Sequence, residues 1–186
     1  MIVGRRMSHP RVLVSACIDG GRAPGAALLV VRTDPKRGAR FELDRCSFGS
    51  AETQDTIMRS IAERIPRDAT VLAHINHLSD RALRYSAILG RQLPPHPLAL
   101  VARYRPDLRA VCLPCGRREL FDAAAAYGIN TESGPMWTRL EARAARDAQA
   151  LWLFFLWTHC RPKQRDWLAA AWEAWRLIER ARKAPI

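Results

Sequence analysis

The sequence predicts an α/β domain, on three observations. Two apolar runs of strand length, Arg11–Ile18 and Gly25–Arg32, and an alternating one, Ala39–Phe48, follow one another across short turns. Beyond them, apolar residues recur at helical spacing in segments punctuated by Gly and Pro. Among these segments lies Thr70–Asp80, TVLAHINHLSD, a short apolar strand that stops at His74 and turns through polar residues into a helix led by Ser79. Buried strand, polar turn and helix in succession is how α/β folds place reactive groups at strand ends.

Each element has a local reason. Arg11–Ile18 (RVLVSACI) is ended by the turn residues Asp19-Gly20-Gly21, and Gly25–Arg32 (GAALLVVR) by Asp34-Pro35-Lys36-Arg37-Gly38. In Ala39–Phe48, Phe41 and Leu43 alternate with Arg40, Glu42 and Asp44, which predicts a half-exposed strand at a sheet edge. The short turns predict an antiparallel meander. Ser50 is placed to cap a helix whose Ile57, Ile61 and Ile65 share one face and which Pro66 ends. Thr70–Ala73 is the fourth strand, Ser79–Leu89 a helix stopped by Gly90, and Arg91–Pro97, with three prolines, a loop. Leu98–Arg103 reads as the fifth strand, and Arg117–Tyr127 as a helix closed by Gly128 in the C′ position. After a loop at Asn130–Pro135, Thr138–Cys160 is a long helix; Arg161-Pro162 breaks it, and Gln164–Lys183 forms a last one.

Composition narrows the function classes. At 186 residues the chain suits one ordinary domain with an appendage: a basic leader over 1–10, a domain over 11–160 and a C-terminal amphipathic helix over 161–186. Thirty Lys and Arg against eighteen Asp and Glu give a net charge of +12, which points to a polyanionic partner, most simply nucleic acid held through its backbone phosphates. Only Lys36, Lys163 and Lys183 are lysines, so codon bias toward Arg and Ala is the competing explanation. Five scattered cysteines fit reduced thiols rather than a disulfide framework. The longest apolar run, Leu151–Trp157, falls far short of the roughly 20 residues a spanning helix needs, and no targeting segment is visible. A cytoplasmic protein with no membrane partner is expected.

At Ala73-His74, followed by Leu78 and Ser79, the chain resembles the DEDD-type 3′–5′ exonucleases of the ribonuclease-H-like superfamily, whose corresponding motif reads L-V-A-H-N-x-x-F-D. The resemblance spans Arg11 to His159. It implies a ribonuclease-H-like five-stranded mixed sheet flanked by helices, with the tail as a C-terminal helical extension. In that family four carboxylates hold two Mg²⁺ or Mn²⁺ ions, and a histidine or tyrosine activates water. Such paired cations stabilise the attacking and leaving oxygens of a phosphodiester.

The motif positions are depleted of that chemistry. The first motif, D-x-E, falls at Ser15-Ala16-Cys17, and a thiol is a poor ligand for a hard cation. The second offers Ser79, with Asp80 one residue late; the third, H-x4-D-A, falls at Ala142–Ala148, where Asp147 survives and the base has become Ala142. The resemblance therefore implies a catalytically degenerate member, a nucleic-acid-binding or assembly module without cofactor or metal. The enzyme alternative is a Mg- or Mn-dependent 3′–5′ exonuclease built from displaced acids: Asp19, Asp80, Asp147 and either Asp44 or Glu141.

Arg143, four residues before Asp147, is placed to pair with it where a metal cation would sit, or to form an ordinary surface pair. Arg139, Arg143 and Arg146 repeat at i, i+4, i+7 as a candidate phosphate-binding stripe, which Arg81 and Arg84 would extend; a solvated face looks the same. Cys112 and Cys115 have zinc-knuckle spacing, with only the distant His159-Cys160 as partners, so plain thiols are favoured. His74 and His77 read as local structural residues. In the tail, Trp167, Trp172 and Trp175 either pack on their own domain or anchor a protein partner or a second copy.

Overall fold

The computed structural model describes residues 8–19, 25–74, 97–113, 115, 117–129 and 140–183. Within them the chain is α/β: a five-stranded mixed sheet flanked by helices, with a C-terminal helical region. The strands are β1 (Val12–Asp19), β2 (Gly25–Asp34), β3 (Gly38–Ser47), β4 (Thr70–His74) and β5 (Arg109–Leu113). The helices are α1 (Gln54–Glu63), α2 (Pro97–Tyr104), α3 (Arg117–Ala126), α4 (Leu140–His159) and α5 (Pro162–Lys183). The spatial order is β3-β2-β1-β4-β5. The first three strands pair antiparallel, as the short turns predicted; β4 and β5 join parallel to β1. The turn before β3 is built by Asp34, whose Oδ1 accepts from the amides of Lys36 (2.7 Å) and Arg37 (3.2 Å), and by Gly38 at φ +90°.

Two expectations are corrected. The fifth strand is Arg109–Leu113, and Leu98–Arg103 lies inside α2. Leu100 and Val101, adjacent in sequence, are both buried in the same core, which a helix allows and strand alternation forbids. Pro97 begins that helix, where its missing amide costs nothing. The cap of α1 is Thr53 rather than Ser50: its extended backbone lets Oγ1 accept from the Thr56 amide at 3.2 Å. The predicted C′ glycine is there: Gly128 has φ +58°, and the Ile129 amide returns to the Ala124 carbonyl at 2.9 Å.

Each sheet face has its own core. One side is aliphatic: Val12, Val14, Leu28 and Val71 of the sheet pack with Ile57, Met58 and Ile61 of α1 and with Leu100 of α2. The other is aromatic: Leu13, Leu29, Val31 and Leu72 meet Trp152 and Phe155 of α4, with Leu168 and Trp172 of α5 behind. The all-round apolar stretch of α4 is buried as expected from Leu151 to Leu156, apart from the half-buried Phe154; Trp157, 43% exposed, emerges. No helix among the described residues is long and apolar enough to cross a membrane.

Candidate functional site

Alternation along β1 sends Leu13, Ser15 and Cys17 toward α4, and Val12, Val14 and Ala16 toward α1. The helix comes close because its facing residues are small: Ala144, Ala145 and Ala148 are all buried. Ser15, with no exposed surface, donates its hydroxyl to the Ala148 carbonyl at 2.6 Å. The first-motif positions and the neighbour of Asp147 are thus on one side of the sheet, and the space between strand and helix is closed by a hydrogen bond. The carbonyl has two lone pairs, so it takes this donor in addition to its helical one.

Asp147 is only partly covered, its side chain 24% exposed. The ion pair on it is made by Arg146, not by the expected Arg143: Nε donates to Oδ1 at 2.7 Å, and NH2 lies 2.6 Å from the same oxygen. Arg146 is itself buried, so the guanidinium belongs to the interior of the helix packing. This takes Arg146 out of the proposed phosphate-binding stripe, leaving the half-buried Arg143; Arg139 lies outside the described residues. Also outside them are Ser79, Asp80, Arg81 and Arg84, with the Ser79–Leu89 helix, His77 and the Asn130–Pro135 loop.

The described donors do not fit a pair of divalent cations. Ser15 has its proton committed to a backbone carbonyl, Cys17 is a soft, buried thiol, and one oxygen of Asp147 is already held by an internal cation. Ala142, half-buried in the first turn of α4, has no basic group. Asp44 cannot supply the missing charge. It stands opposite Leu28 on the aliphatic side and pairs with Arg64 after α1 at 2.9 Å, across the sheet from Asp147. Asp19 ends β1, and Glu141 lies in the first turn of α4. Among the described residues no three of His, Cys, Asp and Glu gather into a possible metal site. None of the five cysteines is in a disulfide; burial pushes the thiols of Cys115 and Cys160 up to about 12.

The tail tryptophans divide. Trp172 has no exposed surface and stands 6.2 Å from Trp152, so it belongs to the core and is corrected as a partner anchor. Trp175 is half-buried against Phe41, ring centroids 5.7 Å apart, and Trp167 is 42% exposed. Arg176 ties α5 down further: it lies over Trp172, 4.6 Å from the ring centroid, and its NH2 donates to the Gly128 carbonyl at 2.9 Å, covering the end of α3.

One buried polar residue had no sequence signal, because it lies in the basic leader. His9 is 5% exposed, and its ring lies edge-on to Trp152 and Phe155. Its Nδ1 sits 2.7 Å from the Pro10 carbonyl, which fixes the proton there and leaves Nε2 to accept from Trp152 Nε1 at 3.1 Å. Its amide donates to Gln164 Oε1 at 2.8 Å, joining leader to tail helix. Burial lowers the His9 pKa to about 4, so the ring is neutral at pH 7. No family model, curated protein or solved structure matches the chain.

Proposed function

We propose that the chain is a nucleic-acid-binding module on a ribonuclease-H-like, exonuclease-type frame that has lost its metal chemistry. The observation that carries this is the Ser15–Ala148 hydrogen bond at 2.6 Å beside the Arg146–Asp147 pair. Where the resembled enzymes converge carboxylates on cations, this cleft holds a neutral hydroxyl and a carboxylate with its own internal counter-charge. The strand order β3-β2-β1-β4-β5, with β1, β4 and β5 parallel, supports the frame, and the net charge of +12 supports a polyanionic ligand.

A module of this kind binds without hydrolysing. The purified protein is expected to bind single-stranded oligonucleotide with an affinity that falls steeply with salt, and to leave DNA and RNA intact in Mg²⁺ or Mn²⁺. Metal-dependent digestion that disappears in Asp147→Asn would replace this reading with the displaced-carboxylate exonuclease. Digestion that persists in Asp147→Asn marks a contaminant. A protein that binds no oligonucleotide at low salt would leave the frame as a structural subunit.

A further inference from the structure

We propose that β3 is a dimerisation edge: two copies of the chain pair antiparallel along β3, about a two-fold axis at Phe41, and so join their five-stranded sheets. The inference is independent of the nucleic-acid reading. In the order β3-β2-β1-β4-β5 the two edge strands differ. β5 has five residues, whereas β3 has ten, contains no proline, and pairs with β2 residue for residue from Gly25↔Ser47 to Asp34↔Gly38 without a bulge. Half of its backbone groups point away from β2, and among the described residues nothing outside β2 hydrogen-bonds to them. Exposed edges are commonly blunted by prolines, bulges or charges that repel a second strand. This edge lacks the first two, and its charges are of both signs.

Alternation sends Ala39, Phe41 and Leu43 to the aromatic side of the sheet, and Arg40, Glu42 and Asp44 to the α1 side with Cys46. A two-fold axis normal to the sheet keeps these sides aligned. With the axis at Phe41, Arg40 of each copy stands opposite Glu42 of the other. Moving the axis to Arg40 or Glu42 sets that charge against itself, and moving it to Leu43 sets Glu42 against Asp44, so charge selects the register. A single chain leaves these groups unmatched. Arg40 is exposed opposite the exposed Arg32 of β2, Glu42 is exposed opposite Val30, and none of the three charged residues forms an ion pair with a described residue. Glu42 of a second copy places an anion on the free side of Arg40, which offsets the like charge of Arg32. On the aromatic side the same register sets Phe41 against its own counterpart and Ala39 against Leu43, all three half-buried in the single chain. Behind Phe41 stands Trp175, ring centroids 5.7 Å apart, and Ile178, 53% exposed, borders the same groove. A second copy on this edge therefore covers apolar surface on one side of the sheet while it matches charge on the other.

Sedimentation velocity on the full chain tests this, at about 0.15 M salt, where long-range repulsion between two basic chains is screened. The wild type is expected to show a concentration-dependent monomer–dimer equilibrium. Arg40→Glu alone and Glu42→Arg alone should each raise the dimer Kd at least about tenfold, because each turns both attractive pairs into repulsive ones. Mixed in equal amounts, the two single variants should form a heterodimer, since opposite charges then meet at both positions. Arg40→Glu with Glu42→Arg in one chain should restore the homodimer. Circular dichroism melts of the variants should match the wild type, as both side chains are exposed. A wild type that stays monomeric at its highest soluble concentration overturns the proposal. So does a dimer whose Kd neither single variant changes, which would lie on another surface. Dimerisation lost in the single variants and recovered neither by mixing nor by the double exchange would overturn the register.

Discussion

The two faces of the sheet are stabilised in different ways. Against α1 and α2 the core is mostly aliphatic, with Phe48 among its buried residues. Against α4 and α5 it is aromatic, and the three buried polar side chains among the described residues, His9, Ser15 and Arg146, are all on that side. Hydrocarbon packing tolerates substitution of similar volume, whereas a buried polar group demands its partner. The aliphatic face therefore supplies burial with little positional constraint. The aromatic face fixes where α4, the leader and the tail helix sit, and Ser15, Cys17 and the backbone of Ala148 meet there.

The largest expected effect breaks the idea that the tail is an appendage. Trp172→Ala should cost about 3–5 kcal/mol, as for a large buried aromatic, and deletion from Pro162 onward should abolish cooperative unfolding in thermal melts followed by circular dichroism. A truncated chain that melts like the wild type would return α5 to the status of a free anchor.

Next in size is a pH effect confined to the aromatic face. His9 has a folded pKa of about 4 against an ordinary 6.5, so between those values the unfolded chain binds the extra proton. Its contribution is complete above pH 6.5 and is lost as the pH falls toward 4, a swing of about 3 kcal/mol at 1.36 kcal/mol per unit. His9→Gln should flatten the stability–pH curve over that window in urea titrations. Ile61→Val, on the aliphatic face, should lower stability by about 1 kcal/mol with the wild-type pH slope intact. Equal slopes in the wild type and His9→Gln would contradict the buried neutral imidazole.

The smallest effect sharpens the reading of the cleft. Ser15→Ala removes one hydrogen bond while the Ala148 carbonyl keeps its helical one, so the loss should be about 0.5–1.5 kcal/mol. Ser15→Asp, which restores the acid of the first motif, should be far worse than Ser15→Ala, because its charge would face that carbonyl. Added Mg²⁺ should leave its melting temperature unchanged; a metal-dependent rise would show that the cleft still admits a cation.

Local signals carried much of the architecture. The meander, the edge strand, the buried length of α4 and the Gly128 cap all follow from periodicity, turn chemistry and a residue without a Cβ, properties that act within a few neighbouring residues. Even the Arg32–Arg40 pairing is implicit in the hairpin, since both residues are four positions from Lys36 at the centre of the turn. The exchange of Leu98–Arg103 for Arg109–Leu113 as the fifth strand shows where such signals fail. Short apolar runs suit either helix or strand, and the parallel partner that chooses, β4, is remote in sequence.

What the sequence by itself determined was the α/β class, most of the elements and the neutral side chains at Ser15 and Cys17, because those depend on residue type and spacing. Only the tertiary structure decided that Arg146 rather than Arg143 holds Asp147, that Trp172 is core, and that His9 is buried under Trp152. Spacing along a helix brings two side chains within reach of each other, but their burial and partners depend on what packs against that helix. Here those neighbours, from residue 9 to residue 172, are distant in sequence, so no local pattern records them.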